Sequence, residues 1–348
     1  MGKCQVVVDF GRGKTKIGAY RTTKDKIELY SGAVFDTPDG GLENENIFQA
    51  LTANLEKLAV KSANLTVILP VDEKSTFCEE ADYPMGTAKE VGGIIKNNLS
   101  TLIPESTEPI YHTWRLMESY PSGTGKFQIA AARNSLIGLI YDIAERKHLT
   151  LTKADITANA IEKTAALLRE DRKFGLSSGD DAVALVDIGA KSVHTVILTK
   201  EKVIRTTMSP HNLYRLDKII ADASPDLKKD VHIVLETLKF NSSYTSKIKQ
   251  YSGFIEALTS DIVRNIKQAV GGEARYHLTT VYFTGGLYKM PTLVSRIKES
   301  FGVPCFAFPM SEFMQLNDGC VSYAQKSSRP TMDLFAASLG ALTGGKVK

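Results

Sequence analysis

This sequence is poor in the residues that staple a fold or bind metal. Its four cysteines, Cys4, Cys78, Cys305 and Cys320, form no metal-type pair, and its six histidines are scattered without ligand spacing. That pattern fits buried free thiols in a reducing cytosol and gives no sign of a catalytic metal held wholly by protein ligands. No apolar run approaches the ~20 residues that span a bilayer. Nothing ahead of Cys4 has the make-up of a signal peptide, and the stretch from Leu334 to Lys348 lacks an amphipathic membrane-binding pattern. Any meeting with a membrane is therefore expected to go through a partner. A formal net charge of +4, with no Lys/Arg block and no basic and aromatic interleaving, argues against nucleic acid.

What is present is an ordinary globular composition, 43% apolar and 24% charged, over 348 residues, long enough for two domains with real cores. The most informative stretch is Val183 to Leu198. An apolar run reaches Asp187 and Gly189, and a β-branched run resumes within a few residues, which predicts a hairpin with an acidic tip. Near the N-terminus Val6 to Gly11 repeats the pattern of Ala184 to Gly189. Each copy continues through a turn (Thr22 to Lys26, Thr199 to Lys202) into a further strand (Ile27 to Tyr30, Val203 to Thr206). A three-strand meander thus occurs twice. Two such lobes facing each other set two tight turns, each with a carboxylate, on either side of a cleft. Polyphosphate with a divalent cation suits that cleft, because turn N–H groups cradle the anion and carboxylates hold Mg2+ through its waters. An Asp-x-Gly turn alone is common; the shared context makes the pair informative. Gly11 to Thr15 is not a P-loop, since that motif requires glycine where the chain has Val8 and must open a helix, whereas a strand-like segment follows.

On these residues the chain resembles the actin-like ATPases. Asp9 to Gly18 resembles their first phosphate loop and Asp187 to Val196 the second, with His194-Thr195-Val196 similar to the end of actin's own. Val281 to Gly286, followed by Met290 to Leu293, resembles the adenosine loop. The resemblance implies an α/β fold of duplicated ribonuclease-H-like lobes around a nucleotide cleft, with ATP and Mg2+ as ligands. Asp9 and Asp187 would act on the metal side and in catalysis. Asn159, or Glu162 in a shifted register, would polarise water from the connecting helix. Contacts to the nucleotide would come from Gly11, Arg12, Gly13, Lys14, Thr15 and Lys16, from Gly189, Ala190, Lys191 and Ser192, from Glu236 and Lys239, and from Gly285, Gly286 and Leu287. Lys14 reads equally as a solvated turn lysine, and Glu236 with Lys239 as an exposed i,i+3 pair.

Helical spacing covers Leu42 to Lys61, and a buried strand follows from Leu65 to Pro70. Next come a strand from Thr76 to Tyr83, Thr87 as N-cap of a helix to Leu102, strands at Pro109 to Glu118 and Lys126 to Arg133, a helix from Asn134 to Lys147, and a connecting helix around Asp155 to Ala166. The second lobe carries helical patterns at Leu213 to Ala223, Val231 to Lys239 and Phe254 to Val270, a helix ending at Phe301 and a strand from Val303 to Phe308. A last helix near Leu334 to Leu342 returns to the first lobe. The implied division is 1–71 for the start of the first lobe, 72–133 for an inserted small α+β subdomain, 134–179 for the rest of that lobe, 180–325 for the second lobe and 326–348 for the returning helix.

Tyr83-Pro84-Met85 with Lys89-Glu90, Ile103-Pro104, Gln128 to Arg133 and the connecting helix resemble the PilM family of type IV pilus proteins, relatives of the division protein FtsA. That resemblance implies a cytoplasmic ATP-binding adaptor recruited to the inner face of the plasma membrane. Its partner would be the N-terminal cytoplasmic peptide of a PilN-like single-pass membrane protein, lying in a groove that Thr76 to Asn98 would help to line. Self-association into FtsA-like filaments, and a small-molecule kinase on the same fold, are the alternatives. Ala190 stands where actin has an acid, Lys191 where it has a glycine, and Leu287 where a third glycine is common. These departures favour slow turnover over fast hydrolysis, and Lys191 raises the question of whether nucleotide is admitted at all.

Overall fold

The protein is described here from a computed structural model, over residues 3–22, 27–58, 60, 62–71, 75–102, 109–210, 249–271, 276–288, 290, 292–316, 321–323 and 332–343. The expected helices at 213–223 and 231–239, with Glu236 and Lys239, lie outside those residues, as do Ile103, Pro104 and Cys320.

The N-terminal repeat forms an antiparallel meander of β1 (Lys3–Phe10), β2 (Lys14–Thr22) and β3 (Ile27–Asp36). Two strands then add in parallel beyond β1: β4 (Ala63–Leu69) and, after the segment that contains β5 (Thr76–Pro84), β6 (Ile110–Ser119) and β7 (Thr124–Arg133), the strand β8 (Leu149–Ile156). The second repeat builds the same order. β9 (Asp181–Ile188), β10 (Ser192–Thr199) and β11 (Val203–Pro210) form the meander, with β12 (His277–Thr284) and β13 (Cys305–Ala307) parallel beyond β9. The sheets therefore run β3-β2-β1-β4-β8 and β11-β10-β9-β12-β13. The internal repeat is a duplication of a whole topology, that of the actin-like ATPase fold. In both lobes the central strand, β1 or β9, is the near-continuous apolar run that burial on two faces demands.

Helices close both faces of the first sheet. α1 (Glu45–Lys57), capped by Asn44, turns Ile47, Leu51 and Leu55 inward, and α3 (Asn134–Arg146) turns in Leu136, Ile140 and Ile143. Both pack over Val6, Val8, Phe10 and Ile17. The opposite face carries α4 (Thr157–Ala166), and its core runs without a break into the second lobe, joining Val7, Tyr20 and Leu29 to Leu185, Val196 and Leu198.

The segment between β4 and α3 is a small unit of its own. Its sheet runs β5-β7-β6, and α2 (Ala88–Leu102) lays Val91, Ile95 and Leu99 on Phe127, Ile129 and Ala131. Trp114 meets Phe127 edge-on at 5.5 Å. Thr87, expected as an N-cap, forms a capping box with Glu90, the Glu90 carboxylate accepting from Thr87 N at 2.8 Å and Thr87 Oγ1 from Glu90 N at 3.3 Å.

The second lobe packs α5 (Lys249–Val270) and α6 (Leu293–Phe301) over its sheet, with Ile255, Ile262, Ile266, Leu293 and Ile297 in one core. The chain then makes the single turn α7 (Met310–Phe313) and returns to the first lobe through β14 (Met314–Leu316) and β15 (Val321–Tyr323), both parallel to β3, before α8 (Ala336–Thr343).

α8 crosses α4 where Gly340 leaves no room for a side chain: a methyl there would lie 1.9 Å from the Ala160 carbonyl oxygen. Thr164 Oγ1 donates to Ala336 O at 2.6 Å across the same crossing. Some elements differ from expectation. β8 occupies a stretch given no element between two helices, so the connecting helix starts at Thr157 instead of Asp155; α1 stops at Lys57; and β14 and β15 were not expected.

Candidate functional site

Antiparallel register sets Asp9 opposite Lys16 in the first lobe and Asp187 opposite His194 in the second. Paired residues share a sheet face, so each hairpin presents a carboxylate beside a basic side chain. Lys16 Nζ lies 2.8 Å from Asp9 Oδ2. Asp9 is only 2% exposed, and its second oxygen, Oδ1, has no hydrogen-bond partner. Burial pushes the Asp187 carboxyl up to about 6; Lys16 draws it back and Asp9 adds to the rise. Asp9, Lys16 and Asp187, from both copies of the repeat, thus act on one another in one place.

His194 was noted only as part of a resemblance, and the structure puts it in the same place. It is buried, and burial together with the nearby Arg12 guanidinium lowers its imidazole to about 4, so the ring is neutral near pH 7. Its Nδ1 has no partner, and Ser192 Oγ lies 3.4 Å from Nε2. The signal that could have found it is the hairpin register: His194 stands to Asp187 as Lys16 stands to Asp9.

The two tips touch. Arg12 and Gly13 form the first, and a methyl on Gly13 would lie 2.3 Å from Ala190 Cβ in the second. Gly11 N donates to Asp9 O in the first turn and Gly189 N to Ser192 O in the second, each at 3.0 Å. Several first-loop side chains are engaged inside their own lobe: the Arg12 guanidinium on Val71 O, Lys14 on Asp36 at 2.8 Å, and the buried Thr15 hydroxyl with Thr37 at 2.9 Å. Lys191 is half-buried, and burial favours its neutral form while Asp39 opposes that and Arg12 adds to it.

The third loop closes on the second. Gly285 holds φ +89°, and a methyl there would fall 2.6 Å from Asp187 Oδ1 and 2.5 Å from Ile188 O, so only glycine fits. Leu287 N donates to Ile188 O at 3.1 Å, while the Leu287 side chain is buried in the core of the second lobe. Gly286 lies against the Leu334 side chain.

On the connecting helix, Asn159 gives its amide to Asp155 Oδ1 at 2.5 Å, and Lys163 and Lys153 approach Oδ2 at 2.6 and 3.1 Å. Burial alone would raise the Asp155 carboxyl; those three partners hold it below the usual range. Glu162 is 1% exposed and its Oε2 accepts from Arg115 at 2.7 Å and from Thr206 at 3.0 Å, tying inserted segment, connecting helix and second lobe together. Among the described residues no group of three or more His, Cys, Asp or Glu side chains forms a metal cluster, and no helix is long and apolar enough to cross a membrane.

No curated protein sequence matches the chain. Among solved structures, the "PilM-PilN type IV pilus biogenesis complex" superposes with a TM-score of 0.73 at 17% identity, covering 99% of this chain and 98% of that one. The ethanolamine utilization protein EutJ from Carboxydothermus hydrogenoformans superposes with a TM-score of 0.51 at 14% identity, over 98% and 89%. Both likenesses are of fold. The sequence profile of the type IV pilus assembly protein PilM matches residues 8–340, and the chain therefore belongs to the PilM family of type IV pilus assembly proteins.

Proposed function

We propose that the chain is a nucleotide-gated adaptor of a type IV pilus or related secretion-type inner-membrane platform. It binds ATP with Mg2+ between its lobes and hydrolyses it slowly or not at all. It docks on the N-terminal cytoplasmic peptide of a PilN-like single-pass membrane protein, which keeps this cytoplasmic protein at the inner face of the membrane. The observation that carries the nucleotide half is the convergence of Asp9, Lys16 and Asp187 at two facing turns. The residues fit the ligand: the unpartnered Asp9 Oδ1 and the Asp187 carboxylate would hold the water shell of Mg2+, which supplies positive charge to the phosphates. Turn N–H groups at Gly13 and Ser192 would face the anion, and Gly285 and Gly286 would let the backbone approach the nucleoside. Because the tips touch, a polyphosphate must part them, and that links occupancy to the angle between lobes.

Slow turnover is expected because the described positions from which this fold would activate water offer no free carboxylate. Ala190 carries no acid, Asn159 is held by Asp155, and Glu162 accepts from Arg115 and Thr206. For the partner, β5 is an edge of the small sheet and exposes Glu79, Glu80 and Asp82. That acidic edge, beside α2, suits an extended peptide carrying Lys or Arg. Fluorescence anisotropy with a labelled N-terminal peptide of a PilN-like protein tests this. Binding whose affinity changes with ATP·Mg2+ and is lost on Glu79→Lys with Asp82→Lys is expected; no complex with or without nucleotide would contradict it.

A further inference from the structure

The segment from β5 to β7 is held to the rest of the molecule at its base and again further out. At the base, Arg133 N donates to Ser75 O at 3.1 Å and Asn134 N to Pro109 O at 3.2 Å, and Ala132 shares the first-lobe core with Leu136 and Ile140. The outer hold lies up the sheet. Arg115 on β6 stands opposite Gln128 on β7, four residues from Ala132 and so about 13 Å along the strand. Phe127 and Ile129 turn toward α2, so Gln128 and Arg115 lie on the other face. There Gln128 Oε1 accepts from Arg115 Nε at 2.9 Å, which aims the guanidinium, and Arg115 Nη2 donates to Glu162 Oε2 at 2.7 Å. A unit fixed at its base and at one point further out has one orientation. Freed at the outer point, it pivots on the base.

The outer hold does not depend on the first lobe alone. The same Glu162 Oε2 accepts from Thr206 Oγ1 at 3.0 Å, and Thr206 lies on β11 of the second lobe. Glu162 is buried, so its charge must keep its partners, and these two donors fix where the carboxylate sits on α4. A shift of β11 against α4 moves or strips one donor and thereby moves the acceptor on which Arg115 rests. We propose that Arg115, Glu162 and Thr206 form a latch through which the second lobe sets the angle of the inserted unit on the first lobe. The latch stands whether or not nucleotide binds; with the gating proposed above, it is the route from the lobe angle to the segment assigned to the partner.

Cys78 is a native probe of the latch. It pairs with Ala130, two residues from Gln128, and so lies on the same sheet face as Arg115. Burial pushes its thiol up to about 12, and the Arg115 charge draws it back. Peptide-resolved alkylation of the full chain with iodoacetamide reads Cys78 beside Cys305, which lies on β13 of the second lobe and serves as internal control. Thr206→Val removes the hydroxyl at nearly constant volume. In that variant Cys78 should react at least about fivefold faster with Cys305 unchanged, and Thr206→Ser should match the wild type. Arg115→Met should also speed Cys78, against the direction expected from losing a nearby positive charge. Adding Thr206→Val to it should change little more, because both substitutions act on one carboxylate oxygen. An unchanged Cys78 rate in Thr206→Val, a rise matched by Cys305, or independent effects of the two substitutions would overturn the latch.

Discussion

Asp187 and His194 are neighbours on one sheet face and titrate in opposite senses. The Asp187 carboxyl rises from 3.8 to about 6, so the folded chain holds that proton more tightly than the unfolded one. Its contribution to stability is present below about pH 4 and is lost as pH climbs through 6. The His194 imidazole falls from 6.5 to about 4, so the folded chain prefers the neutral ring, and that contribution is lost as pH drops from 6.5 through 4. In the wild type the two trends oppose each other over the same window. Asp187→Asn should therefore unmask a stability that rises with pH between about 4 and 6.5, and His194→Gln one that falls, each with a slope of up to about 1.4 kcal/mol per pH unit. Thermal unfolding in chelator, across that range, reads both slopes. Equal, flat profiles for the two variants would contradict both shifts.

At the scale of the element, α2 and its three-strand sheet hold together on a core separate from the lobes, and its start depends on Thr87 and Glu90. Thr87→Ala removes the hydroxyl that accepts from Glu90 N and one of the donors to the Glu90 carboxylate, at a cost of about 0.5–2 kcal/mol. Hydrogen exchange should show the loss confined to α2 and the strands beneath it. Uniform loss across both lobes would contradict a separately closed unit. Elements like α2 were legible because apolar spacing and a cap coincide. β8 was not: its sequence, LTLTKADI, places Lys153 and Asp155 where a strand core is usually apolar, because those two side chains serve the connecting helix and the returning C-terminal chain. β14 and β15, at three residues each, are too short to show any period. The carboxylates of the site were legible from the repeat itself. The place of Gly285 on Asp187 and the Arg115, Glu162 and Thr206 junction were not, because each joins residues far apart in the chain whose meeting only the fold decides.

At the scale of the molecule, duplication explains both the architecture and the site. Two copies of one topology share a core through α4 and α8, and Gly340 against Ala160 sets how closely those helices cross. The acidic tips meet because the copies face each other, and the inserted segment is tied to the connecting helix and the second lobe through Glu162. A ligand that parts the tips therefore acts on the lobes and on the segment proposed to hold the partner at once. The central claim is that the repeated aspartates form a nucleotide site. Calorimetry of ATP·Mg2+ with the wild type and with the folded Asp9→Asn, Asp187→Asn double variant tests it most directly. Binding on the order of micromolar or tighter in the wild type, abolished in the double variant, is the predicted result. No binding by the wild type, or equal binding by both proteins, would contradict it.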